Sequence, residues 1–227
     1  MTLLADAFPP FGLRIEAGPL VLRPITDEVL PELISLAQSG IHAPELMPFY
    51  VPWTDAPAAE LPLNYVQYHW GLRAAWRREH WNLEFAVEWD GRVVGCQGFF
   101  SEHYLVTRSG ETGSWLGQQY HGRGIGTAMR RAICAFVFDD LDADQIVSAA
   151  FTDNPASNAV SRKVGYLPNG VVRKTRRPEE WHDTQQWLLT PESFVRGPEL
   201  TVTGAEAFRT FIGLDSSPAL PEEPGGV

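Results

Sequence analysis

Residues 113–127 read GSWLGQQYHGRGIGT and run without a break into AMRRAICAFVF at 128–138. A short apolar strand, 114–117, meets a turn holding Gly122, Gly124 and Gly126, and a helical pattern begins at once. Glycines at alternate positions let a backbone come close to a ligand, and the first N–H groups of a helix have no partner within it. Such a turn is an anion site, and a phosphate is its natural occupant. The spacing narrows which phosphate. A P-loop needs GxxxxGK followed by Ser or Thr, whereas 117–123 reads GQQYHGR, with no lysine. The dinucleotide fingerprint GxGxxG fails too, because the glycines fall as GxGxG. Taken alone, the turn is also compatible with glycines that bind nothing.

Downstream, QIVSAAF at 145–151 reads as a strand and DNPASNAVSRKVGY follows at 153–166. Asn154 suits a helix cap, Pro155 a first helical position and Gly165 the residue that ends the helix. Strand, turn, helix and strand in this order form a crossover unit, which makes the two strands parallel neighbours.

Together these segments resemble the GNAT superfamily of acyl-CoA-dependent N-acyltransferases, most closely its RimJ/RimL branch. The family's Q/R-x-x-G-x-G/A loop falls on His121–Gly126, with histidine where Gln or Arg is usual. Its N-x-x-S-x-x-x-x-x-K-x-G-F/Y segment falls on Asn154, Ser157, Lys163, Gly165 and Tyr166, and the branch's E-x-G-x-W-L strand on Glu111, Gly113, Trp115 and Leu116. The resemblance implies an α+β (mixed α/β) GNAT fold: a central, mostly antiparallel mixed sheet with one parallel, splayed strand pair, flanked by helices. It implies acetyl-CoA or another acyl-CoA as co-substrate, without a metal. The residues it brings to coenzyme A are Leu116, Gly117, His121, Gly122, Arg123, Gly124, Ile125, Gly126, Thr127, Asn154 and Ser157.

Acyl transfer from a thioester to an amine needs a proton acceptor, donors for the carbonyl oxygen as it turns anionic, and a departing thiolate. The resemblance puts Glu111 on the strand flanking the acyl group, as general base directly or through water. Backbone donors near Leu116 and Gly117 would polarise the carbonyl, at about 3 kcal/mol each. Many family members offer a tyrosine to the leaving sulfur where Ser161 stands here; Ser161 or Ser157, one turn earlier, is the hydroxyl available instead. A thiol of pKa near 8.5 leaves tolerably without a dedicated acid. The expected activity is direct transfer in a ternary complex to a primary amine on a small molecule, a protein N-terminus or a lysine. A CoA-binding sensor without chemistry is the alternative, and a nucleotide-binding protein is disfavoured by the absent lysine.

The 227 residues suit one domain with extensions, and 44% hydrophobic residues can fill its core. A net charge of −10 argues against nucleic acid, whose binders need a basic face. Cys96 and Cys134 lack metal-ligand spacing and read as buried thiols of a reducing cytosol. Neither a signal peptide nor a membrane-length apolar run is apparent, so the expected location is cytoplasmic, and a homodimer is allowed.

Elsewhere, PLVLRPI at 19–25 is a first strand, followed by a helix that Thr26 and Asp27 can cap, with apolar residues recurring from Val29 to Leu36 until Gly40 stops it. Residues 41–62, broken by five prolines, form an ordered loop that serves as pocket wall or core cover. Residues 63–81 suit an amphipathic helix whose Arg73, Arg77 and Arg78 either reach an anionic acyl group or phosphate or face solvent. Residues 83–89 and 93–100 make a hairpin with Glu84 and Glu88 on a polar outer face. Strands over 171–177 and 183–189 close the sheet; the RKTRR run at 173–177 reads as an exposed face or a contact for the adenosine 3′-phosphate. The division expected is a leader over 1–18, the acyltransferase domain over 19–196, an extension over 197–214 with a short helix, and a disordered tail over 215–227.

Overall fold

The computed structural model describes residues 3–215; all of the expected tail but Asp215 lies outside them. In chain order the elements are α1 (Leu4–Ala7), β1 (Arg14–Ala17), β2 (Leu20–Pro24), α2 (Leu30–Gln38), α3 (Leu61–Ala74), β3 (His80–Trp89), β4 (Arg92–Glu102) and α4 (Tyr104–Thr107). There follow β5 (Ser109–Leu116), α5 (Ile125–Asp139), β6 (Gln145–Phe151), α6 (Pro155–Val164), β7 (Leu167–Arg177), β8 (Glu180–Leu189), β9 (Thr201–Thr203) and α7 (Ala205–Ile212).

One mixed sheet runs β7-β8-β6-β5-β4-β3-β2-β1-β9. Among the described residues its single parallel pair is β5 with β6, and their register stops after three pairs, at Glu111 opposite Val147. Beyond that point β5 continues to Leu116 and β6 to Phe151 without pairing with each other, so the sheet opens into a fork. This is the mixed sheet with a splayed parallel pair that the sequence led us to expect. Residues assigned to the leader and the extension also join it, since β1 pairs with β2 on one side and with β9 on the other.

Strand alternation sorts side chains onto two faces. Ile15, Leu22, Phe85, Val94 and Phe99 pack with Ile133, Phe136 and Val137 of α5 in the larger core. Ala86 and Cys96 pack on the other face with Leu33 of α2 and Tyr65 of α3. On β5, Thr112 and Leu116 belong to the α5 face and Trp115 to the α2 and α3 face.

The helix expected over 63–81 ends at Ala74, because Trp81, 1% exposed, is claimed by the sheet core. It packs there edge-on to Phe208 of α7. Neither Thr26 nor Asp27 caps α2; the Asp27 carboxylate instead accepts from Arg73 at 2.6 Å and Trp70 at 3.1 Å.

Candidate active site

The site is built where β5 passes into α5. Gly122 and Gly124 hold φ of +73° and +81°, the left-handed region that side chains resist, and a methyl carbon on either would meet nothing within 4 Å. The glycines therefore serve the backbone path and leave the space above it free. No side chain caps α5, and its first return bonds run from Thr127 and Ala128 to the Gly124 carbonyl. The N–H groups of Ile125 and Gly126 thus face outward at the positive end of a 15-residue helix. Gly126 sits where α5 meets α6, and a methyl there would rest in ordinary contact, 3.5 Å from Val160.

A cavity of about 540 Å³ opens from this turn toward the fork. Leu116, His121, Gly122, Arg123, Gly124 and Ile125 line it, as do Gly126, Thr127, Asn154 and Ser157. On the opposite side the proline-broken loop supplies Ile41, Met47 and Phe49, so that loop is a wall as well as a cover. Its Asp55 is tied to Arg177 of β7 at 2.6 Å, and Tyr50 sits edge-on to Phe151 of β6.

Three of the expected site residues, Gly117, Ser161 and Glu111, fall outside the cavity lining. The Gly117 N–H is spent on the Val94 carbonyl at 2.9 Å, so it is not a free donor for a thioester. A methyl at 117 would approach Leu36 of α2 to 2.5 Å, which is why the position is glycine. Because antiparallel pairing uses alternate residues, the N–H groups of Leu116 and Ser114 point away from β4 into the fork. His121 lies folded back with Nε2 3.1 Å from the Leu116 carbonyl. Ser161 is fully buried, and its hydroxyl has no partner among the described residues. Ser157 does line the cavity, while its backbone N–H donates to Asn154 Oδ1 at 3.0 Å in the expected cap.

Glu111 stands at the base of the fork, on the face of β5 that carries Gly113 and Trp115. Burial pushes its carboxyl above the usual carboxylate range, with the charges of Lys174 and Arg130 pulling back. Gly113 is exposed in the middle of a strand, so this face has an open floor beside Glu111. Register places Gly98 next to Gly113, and Glu84 next to Gly98.

Glu84 is not on a polar outer face. Its carboxyl accepts from the Cys96 thiol at 2.9 Å and from the Tyr68 hydroxyl at 3.4 Å, and burial pushes its pKa up. Glu88, further along the same strand, is paired with Arg23. Alternation gives the face of a strand but not what covers that face, and here α3 covers it.

Arg73, Arg77 and Arg78 do not reach the cavity. Arg73 binds Asp27 and the Ile25 carbonyl, Arg77 the Ala74 and Trp76 carbonyls, and Arg78 the Phe211 carbonyl. Within the RKTRR run Arg173 is exposed, but Arg176 is only 6% exposed and forms a two-nitrogen ion pair with Asp153 at the entrance of α6. The residue that sequence reading missed altogether is Arg130 of α5, 4% exposed and part of the cavity lining. Among the described residues no cluster of three or more His, Cys, Asp or Glu could hold a metal, and no helix is long and apolar enough to cross a membrane.

Comparison with known proteins agrees with this arrangement. The family model described as the acetyltransferase (GNAT) domain matches residues 19–167. A Bacillus subtilis (strain 168) protein named "Putative ribosomal N-acetyltransferase YdaF" is 31% identical over 120 residues, which are 51% of this chain and 64% of that protein, so the match spans less than two thirds of the relative's length. Among solved structures, Mycobacterium smegmatis RimJ in complex with CoA-disulfide superposes with a TM-score of 0.65 at 20% identity, over 88% of this chain and 92% of its own. RimL, a ribosomal L7/L12 α-N-protein acetyltransferase in complex with coenzyme A, gives 0.60 at 17% identity, over 78% and 97%. At such identities these structures establish the fold.

Proposed function

The chain belongs to the GNAT acetyltransferase family, and from that premise we propose that it transfers a short acyl group from its CoA thioester to a primary amine, in a ternary complex and without a covalent enzyme intermediate. The observation that carries this reading is the fork: a parallel pair that parts after Glu111 and Val147, with a cavity running to it from the unpaired N-terminus of α5. In this reading the backbone from Gly122 to Thr127 holds the pyrophosphate, and the outward N–H groups of Ser114 and Leu116 hold the arm and polarise its carbonyl. Asn154 and Ser157 border the arm from α6.

The acceptor would approach from the other face, over the exposed floor at Gly113, and the Glu111 carboxyl would take the proton that the attacking amine loses. Burial favours Glu111 as that base, because a base whose pKa lies closer to neutrality removes an ammonium proton more readily. Ser157 is the hydroxyl closest in role to a leaving-group donor, since Ser161 is enclosed. The thiolate would otherwise depart unaided.

Acetyl-CoA is the reference donor, with other short acyl thioesters, succinyl-CoA among them, as further candidates. The names of RimL and YdaF suggest an acceptor such as the amino terminus of a ribosomal protein. A cytoplasmic setting suits both that acceptor and the two free, buried thiols. We assign the chemistry to residues 19–196, with the β1–β9 pair and α7 bracing the sheet edge.

The test is calorimetric titration with CoA, acetyl-CoA and ATP, followed by acetyl transfer to peptides bearing free α-amines. CoA compounds should bind and ATP should not. Binding of ATP alone, or of none of the three, would overturn the reading.

A further inference from the structure

Arg130 is a cation buried in the cavity with no anion to face. One terminal nitrogen donates to Ser148 Oγ on β6 and the other to Ser114 Oγ on β5, both at 2.9 Å, so the guanidinium spans the two arms of the fork. Its Nε has no partner, and it forms no ion pair among the described residues. Arg176, buried to the same degree, has the Asp153 carboxylate across both of its terminal nitrogens. A guanidinium carries five N–H donors and a full charge that two neutral hydroxyls do not balance. Glu111 feels that charge, yet it sits on the opposite face of β5 and makes no bond to Arg130.

The missing anion belongs to the cavity's occupant, and position says which part of it. The phosphates are read at the start of α5, by Gly124 and Ile125. The Arg130 head lies between the strand arms just past their last pairing, at the closed end of the fork toward which the arm extends from the phosphates. That is the acyl end of the arm.

We propose that the preferred donor is a CoA thioester of a dicarboxylic acid, of succinyl or malonyl length, whose free carboxylate is bound by Arg130. This rests on the acyl-CoA reading of the cavity. The planar fork of a guanidinium matches a carboxylate through two parallel hydrogen bonds, and Ser114 and Ser148 fix the plane in which those bonds are offered.

The experiment is equilibrium binding of CoA, acetyl-CoA and succinyl-CoA to the full chain, to Arg130→Met and to Arg130→Lys. The parent should bind succinyl-CoA at least tenfold more tightly than acetyl-CoA. Arg130→Met should bring the two within about twofold of each other while CoA affinity holds, and Arg130→Lys should keep a smaller preference. If Arg130→Met does not fold, Ser148→Ala, which removes one anchor of the guanidinium, should narrow the preference. A parent without preference for succinyl-CoA overturns the proposal, as does an Arg130→Met protein that loses all three ligands equally, since the arginine would then support the arm. Those results leave the acyl-CoA reading standing; failure of every CoA compound to bind the parent overturns both.

Discussion

Glu84 leans over Gly98 so closely that a methyl carbon built on residue 98 would stand 2.9 Å from Glu84 Oε1. The carboxyl is held by Cys96 and Tyr68, with no ion-pair partner among the described residues, and burial raises its pKa. It therefore keeps its proton more tightly in the folded chain than in the unfolded one. As pH climbs through the ordinary carboxylate range the unfolded chain sheds that proton first, and stability falls until the folded pKa is passed. Glu84→Gln should raise the melting temperature at pH 7, with the gain vanishing toward pH 4; a variant that melts lower at pH 7 contradicts this linkage. Gly98→Ala should cost about 1–3 kcal/mol by overpacking.

Glu111→Gln should lower kcat by about 10²–10⁴-fold, the range of general base catalysis, and leave CoA affinity within about twofold. Because burial raises the Glu111 pKa, the acid limb of the kcat/KM profile should lie above the usual carboxylate range in the parent and disappear in the variant. Unchanged turnover at saturating substrates would remove Glu111 from the reaction.

Gly124→Val acts on the cradle alone. The position is left-handed, so the variant suffers about 1–2 kcal/mol of backbone strain, while its Cβ meets nothing within 4 Å. CoA affinity should fall at least tenfold while the far-ultraviolet circular dichroism spectrum stays that of the parent. Undiminished binding would mean that the phosphates lie elsewhere.

Asp153→Ala leaves the buried Arg176 guanidinium with only the more distant Glu180 carboxylate, 3.8 Å away. The expected loss is about 1–3 kcal/mol, which for a chain of this size is a drop of roughly 2–4 °C in melting temperature per kcal/mol. Arg176 holds the Asp153 carboxyl below its usual range, so the parent's advantage is complete above the ordinary carboxylate pKa and is lost as pH falls through the lowered one. A constant difference between the two proteins from pH 7 down to pH 2 would disprove the linkage.

What the sequence disclosed and what it withheld divide along the range of the interactions. The turn at 122–126 and the helix from Asn154 to Gly165 were legible because their signals are local: left-handed glycines, a capping asparagine, a proline at the first position. The end of α3 was misjudged because Trp81 follows the helical pattern, yet its burial comes from Phe99, Tyr104 and Phe208. Glu84 reads as a surface charge and Arg130 draws no notice, since nothing nearby in sequence announces the tyrosine or the serines that meet them from 16 to 18 residues away. The strand at 14–17 needs partners at 20–22 and 201–203, and the second set lies at the far end of the chain.

That last pairing bears on the order of events during synthesis. Arg14, Ile15 and Glu16 leave the ribosome well before Thr201, Val202 and Thr203, and until those emerge their outer hydrogen-bonding edge stays bare. Throughout that interval the nascent sheet carries an open template at that border, which a second nascent chain can occupy in place of β9. The short turn that follows reinforces the late closure, because a methyl at Gly204 would stand 2.4 Å from the Gly12 carbonyl oxygen, so the two ends of the fold latch only when both are present.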